Sequence, residues 1–161
     1  MEIRDTYSPE ESCQIGEEIG RSLKGSEIIC LNGDMGTGKT VLAQGIAKGL
    51  EIEEPVSSPT FTILQSYEGG RLPLYHFDVY RIEEPEEMEE IGYEDCFYGD
   101  GVTLVEWSDL IAELIPEHAI KIWIEKDPDK GDDYRRITIF RGDLGDSASD
   151  DTVEEEENYE F

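Results

Sequence analysis

The chain has 161 residues, 37% of them hydrophobic, which is room for one globular domain with a sizeable core. Forty acidic residues against 13 basic give a formal charge of −27. That balance argues against a direct grip on nucleic-acid phosphates or on an anionic membrane surface, since both depend on Lys and Arg.

No apolar run approaches the ~20 residues of a membrane-spanning helix. The N-terminal stretch MEIRDTYSPEES has no basic segment followed by an apolar one, so no secretory signal is visible. Cys13, Cys30 and Cys96 are widely spaced and form no CxxC pair, which reads as reduced thiols in a cytoplasmic protein. With His76 and His118 as the only histidines, no zinc site is apparent.

In chain order, Ser8-Pro9-Glu10-Glu11 predicts a helix start, with Ser as N-cap, Pro at the first helical position and Glu completing a capping box. Ile15, Ile19 and Leu23 follow at helical spacing, and Gly25 can close the helix. Residues 27–31 (EIICL) read as a short buried strand, and 39–48 as a helix ended by Gly49. Residues 61–67 and 72–80 predict two strands joined by a hairpin through Glu68-Gly69-Gly70-Arg71. An acidic helix is expected over 85–91 and a buried strand over 102–105. Ser108 can cap a helix running to Ile115, stopped by Pro116. Strands over 120–124 and 136–140 flank the polar turn DPDKGDD. Strands and helices mixed from end to end give an α/β fold, and the hairpin makes its sheet mixed, though mainly parallel. From Asp143 to Phe161 there are nine acidic residues and no Lys or Arg. The expected organisation is therefore one domain over 1–142 and a disordered acidic tail over 143–161.

Gly33-Asp34-Met35-Gly36-Thr37-Gly38-Lys39-Thr40 matches G-x-x-x-x-G-K-[ST] in full, between a predicted strand and a predicted helix. Glycines let the backbone wrap an anion and turn successive N–H groups toward it, and the helix N-terminus adds positive potential. In such a phosphate-binding loop Lys39 reaches the β- and γ-phosphates and the Thr40 hydroxyl serves Mg²⁺.

A phosphate-binding loop also needs an acid at the end of another core strand. Asp78 ends the run LPLYHF and Glu106 ends VTLV, and ligand sites of open α/β sheets lie at the carboxyl ends of strands. Trp107 follows Glu106 directly, either as a half-buried aromatic or as a contact surface beside the site. His76, alternating with Leu74 and Asp78, reads as a structural histidine. Ser57-Ser58-Pro59-Thr60 offers hydroxyls on a stiffened loop, an ordinary turn or a segment that senses the γ-phosphate.

Taken together, the phosphate-binding loop, Ser58-Pro59-Thr60-Phe61-Thr62, His76-Phe77-Asp78-Val79-Tyr80-Arg81 and Leu104-Val105-Glu106-Trp107 resemble the successive signatures of the TsaE (YjeE) family, over about residues 8 to 140. The resemblance implies a P-loop NTPase-like three-layer sandwich and a small bacterial ATPase using ATP and Mg²⁺. It implies work with TsaB and TsaD, which transfer threonylcarbamoyl to the adenosine beside the tRNA anticodon. This chain would then meet tRNA only indirectly, in keeping with its acidity. By position, Gly33, Asp34, Met35, Gly36, Thr37, Gly38, Lys39 and Thr40 would bind the nucleotide. Thr40 and Glu106 would serve Mg²⁺, Asp78 would be the Walker B-like acid, and Trp107 a functional aromatic. Ser12 stands where the family usually has Thr in the first helix; a hydroxyl survives, so the resemblance implies an adenine-side contact that is weakened rather than excluded. Ser108 stands where a Pro is common.

These groups account for phosphate and metal binding better than for fast hydrolysis, which calls for further positive charge on the γ-phosphate. Arg81 is the arginine close in sequence to a site acid. A partner completing the site is therefore expected, with Ser58, Thr60, Arg81 and Trp107 as contact regions. Two other readings are a small-molecule kinase and a nucleotide-dependent switch. The sequence has neither a clustered Arg-bearing lid for the first nor an Asn-Lys-x-Asp guanine motif for the second.

Overall fold

The apolar runs around Ile28, Leu74 and Val102 are too short for helices and are bounded by polar turns, so they bury themselves as strands. A computed structural model of the chain describes residues 1–33, 37–56 and 64–141. Its elements are β1 (Glu2–Thr6), α1 (Pro9–Ser22), β2 (Ile28–Asn32), α2 (Lys39–Gly49), β3 (Leu64–Tyr67), β4 (Leu74–Asp78), α3 (Glu87–Glu90), α4 (Tyr93–Phe97), β5 (Val102–Glu106), a 3-10 segment (Ser108–Leu114), β6 (Ile120–Glu125) and β7 (Arg135–Phe140). A short 3-10 turn, Pro128–Lys130, lies between β6 and β7. The expected tail over 143–161 lies outside the described residues.

All the strands join one sheet in the order β1-β7-β6-β2-β5-β4-β3. The four central strands β6, β2, β5 and β4 are mutually parallel, while β3, β7 and β1 add antiparallel edges. This is the mixed, mainly parallel sheet expected, covered on both faces as parallel strands require. Alternation along each strand sorts its side chains. Ile29, Leu31, Leu104, Ile122 and Ile137 pack toward α1 and α2. Ile28, Cys30, Phe77 and Val105 pack toward α3, α4 and the 3-10 segment through Met88, Tyr93, Phe97 and Ile111.

α1 begins as its sequence predicts: the Ser8 side chain accepts from the Glu11 N–H at 3.1 Å, and Pro9 is the first helical residue. The Glu11 carboxylate reaches the N–H of Tyr7 at 2.7 Å, one residue before the cap, in place of the reciprocal capping box. The helix ends at Leu23, ahead of Gly25. Helix α2 ends at Gly49, as expected, and that glycine also packs against α1. Gly16 and Gly20 on α1 meet Gly45 and Gly49 on α2. A side chain at Gly45 would collide with the Cys13 carbonyl, and one at Gly49 with that of Glu17. The two backbones are therefore in contact, an approach only glycine permits.

Elsewhere the structure departs from the expected elements. Strand β1 was not predicted; it pairs with β7 at the sheet edge. The acidic stretch forms only the short α3, followed by α4. The helix after Glu106 is 3-10, and Ser108 is its first residue rather than a side-chain cap. Trp107 precedes it in the left-handed region, φ 64°. Among the described residues no helix is long and apolar enough to cross a membrane.

Candidate active site

Three parallel strands and the start of α2 meet at the carboxyl edge of the sheet. β2 ends at Asn32 and passes into the glycine-rich loop. Asp34, Met35 and Gly36 lie outside the described residues. Gly33 has φ 156° and Gly38 φ 100°, values that L side chains rarely adopt, so glycine is required at both positions. Thr37 is buried. Its carbonyl accepts a 2.7 Å hydrogen bond from Nε of Arg135 on β7, which holds the end of the loop against the sheet. The sequence reading missed Arg135; its only signal was an arginine following the polar turn at the start of β7.

Lys39 opens α2 and is only 8% exposed, unusual for a lysine. Among the described residues, two groups face its ammonium. Oε1 of Glu106 lies 3.9 Å away, and the Trp107 ring centroid lies 4.3 Å away, a cation–π distance. Thr40 follows in the first turn of α2, half-buried. Lys39, at the end of the loop, and Glu106 thus face each other.

Glu106 ends β5 and Asp78 ends β4, and the two are register partners across the parallel pair. By alternation with Leu74 and Leu104, both acids and His76 lie on the face toward α2. Their surroundings differ. Glu106 is buried, and its Oε2 lies 2.7 Å from Nε2 of the fully buried His76. Asp78 is half-buried; its Oδ1 accepts from the Tyr80 N–H at 3.0 Å. Desolvation raises the Asp78 pKa above the usual carboxylate value. The Tyr80 hydrogen bond opposes this, the Glu106 charge adds to it, and His76 and Lys39 pull the other way. His76, which the sequence suggested was structural, therefore belongs to the cluster. Its place two residues before Asp78, on the same strand face, was the available signal.

Trp107 is half-buried and stacks on the exposed Tyr80 at 4.9 Å between centroids. Its left-handed backbone begins the 3-10 segment. Ser12 is buried in α1 and shares a 2.8 Å hydrogen bond with Thr6 on β1, so its hydroxyl ties α1 to the sheet edge. Arg81 is exposed just beyond β4. Ser58 and Thr60 lie outside the described residues.

A glycine-rich loop between a parallel strand and a helix, with strand-end acids beside it, defines a P-loop-like α/β protein. The crystal structure of Bacillus subtilis YdiB superimposes with a TM-score of 0.74 at 34% identity, covering 98% of this chain and 96% of that one. The family model for "Threonylcarbamoyl adenosine biosynthesis protein TsaE" matches residues 6–137. The chain is 45% identical over 134 residues to the tRNA threonylcarbamoyladenosine biosynthesis protein TsaE of Bacillus subtilis, covering 83% of this chain and 82% of that protein. It is 39% identical over 132 residues to the TsaE protein of Treponema pallidum, with 82% and 95% coverage. The Haemophilus influenzae TsaE protein is likewise 39% identical, with 87% and 90% coverage. The chain belongs to the TsaE family of tRNA threonylcarbamoyladenosine biosynthesis.

Proposed function

We propose that this chain is a cytoplasmic ATPase that binds ATP with Mg²⁺ and hydrolyses it in support of TsaB and TsaD, without itself transferring the threonylcarbamoyl group. The observation that carries this reading is the meeting of Lys39, at the start of α2, with Glu106, at the end of β5. A buried lysine facing a buried carboxylate is a charge pair ready to open: polyphosphate offers the lysine a better partner, and its departure frees the acid.

In this reading the loop N–H groups and Lys39 hold the phosphates. The oxygen donors Thr40, Asp78 and Glu106 fit a hard cation. Among the described residues no group of three or more His, Cys, Asp or Glu could hold a metal alone, which suits an ion taking one or two protein ligands plus phosphate oxygens and water. When bound, Mg²⁺ would neutralise charge building on the β- and γ-phosphates. Glu106 and Asp78 orient water at the open end of the site. Trp107 covers the lysine on one side and, with Tyr80 and Arg81, presents a surface on which TsaB–TsaD can act. The loop bearing Ser58 and Thr60 is a further contact region in this reading, and tRNA is met through the partners.

The deciding measurement is ATP hydrolysis by the chain alone and with TsaB–TsaD, paired with calorimetric titration of MgATP. Slow turnover alone, rising with the partners, is expected. Lys39→Ala should weaken MgATP binding at least about tenfold, or about 1.4 kcal/mol. Thr40→Ala should mainly remove the Mg²⁺-dependent part. Wild-type affinity in Lys39→Ala would sink the assignment.

A further inference from the structure

We propose that His76 is a positioning residue for Glu106: its Nε2–H holds one carboxylate oxygen in place, so that Oε1, the oxygen facing Lys39, is presented to the nucleotide. This rests on the MgATP reading above.

The two oxygens of Glu106 have different neighbours, His76 at 2.7 Å from Oε2 and Lys39 at 3.9 Å from Oε1. A glutamate carboxylate turns easily, because its terminal torsion is broad and roughly two-fold. A short bond to one oxygen removes that freedom. An ionised carboxylate only accepts hydrogen bonds, so Nε2 carries the proton. Nδ1 is buried without a hydrogen-bond partner among the described residues. Burying a polar nitrogen unpaired is unfavourable. Leu74, on the same strand face, is fully buried as an apolar residue, so side-chain packing on that face does not require an imidazole. The bond to Glu106 is what an imidazole supplies there and an apolar residue does not.

The register explains how the contact arises. Asp78 and Glu106 are directly paired, and His76 lies one pleat back along β4, beside Leu104. Its ring therefore reaches forward under the Glu106 carboxylate while Asp78 stays at the strand end. Lys39 faces Oε1 at 3.9 Å in the structure described. When it turns to phosphate, His76 keeps Oε2 fixed and Glu106 does not follow.

The test uses the full chain with TsaB–TsaD: MgATP turnover and ATP calorimetry for His76→Phe, His76→Gln and Glu106→Gln, with thermal melts to check folding. His76→Phe should keep ATP affinity within about twofold and lose about 10- to 100-fold in turnover, the range for removing a partner that orients a ligand-bearing group. His76→Gln, whose amide can still donate, should recover most of the loss. Imidazole ¹⁵N spectra of the nucleotide-free wild type should give a protonated Nε2 that shifts in Glu106→Gln. A loss in Glu106→Gln with none in a folded His76→Phe overturns the positioning role alone. An Nδ1–H tautomer does the same and is read even where His76→Phe fails to fold. Wild-type turnover in Glu106→Gln overturns the reading of the site itself.

Discussion

On one face of the sheet two helices of 14 and 11 residues lie with their backbones in contact, while on the other, helices of four and five residues share the cover with a 3-10 segment. The first face carries Lys39 at a helix start and Glu106, His76 and Asp78 at strand ends. The second is held by aromatic packing, with Phe97 edge-on to Phe77 at 5.5 Å and to Tyr93 at 5.0 Å. A buried hydrogen bond from Thr103 to the Cys96 carbonyl, 3.0 Å long, ties α4 to β5. The contrast has a physical logic. A helix that must hold a lysine against a buried acid benefits from a neighbour whose backbone cannot yield. Short elements packed through side chains can shift without moving the strand ends.

The sharpest way to break this comparison is at the helix contact. In Gly45→Val the new side chain meets the Cys13 carbonyl, backbone that has no rotamer to change. Overpacking of this kind costs about 3 kcal/mol or more, which for a chain of this size lowers Tm by about 6–12 °C. Because α2 must move, MgATP affinity should fall in the same variant. A melt and a titration within error of wild type would remove the glycine contact from the account.

The matching change on the other face is Met88→Ala. Met88 is fully buried against the second core. A cavity there should cost about 2 kcal/mol, the low end for such truncations, because α3 is short and can settle inward. MgATP affinity should be unchanged, in contrast to Gly45→Val. Parallel loss of stability and affinity would mean that the two faces are coupled more tightly than their packing implies.

How legible these features were in the sequence follows the same division. Helix α1 could be read from Ser8 and Pro9, and α2 from the loop that opens it, because capping and glycine chemistry are local. The meeting of Asp78 with Glu106 could be read because each ends an apolar run and parallel strands align their carboxyl ends. The glycine contact was present as a spacing of four in both helices, Gly16/Gly20 and Gly45/Gly49, but one helix alone gives no reason to read it. Strand β1 pairs on one side only and has a single large aliphatic residue, Ile3, so alternation gives almost no signal. Helix α4 and the 3-10 segment depend on tertiary packing and on Trp107 in the left-handed region, where no glycine marks the turn. The partnership of His76 with Glu106 crosses two strands and needed the register.

The smallest effect expected is at Asp78, and it tests whether the first face stores a cost in this half-buried acid. Glu106 has His76 and Lys39 close by, whereas Asp78 has the Tyr80 N–H and sits near the Glu106 charge. Burial first, and that charge second among the raising effects, lift its pKa above 3.8 in the folded chain, against the pull of the Tyr80 hydrogen bond, His76 and Lys39. The sign follows from linkage. Between 3.8 and the raised folded value the native state binds more protons than the unfolded one, so stability falls as pH rises through that window. Above it, the ionised Asp78 is a net cost to the nucleotide-free fold. Asp78→Asn keeps an oxygen for the Tyr80 N–H and removes the charge. At pH 7 the nucleotide-free variant should melt slightly above wild type, by less than about 4 °C, the equivalent of 1 kcal/mol for a chain of this size. The gap should close as the pH is lowered toward 3.8. Adding MgATP should also narrow it at pH 7, because a cation beside the carboxylate stabilises the ionised wild type and not the amide. A wild type that melts higher than the variant at pH 7, or a gap that does not change with pH, would show that Asp78 carries no such cost.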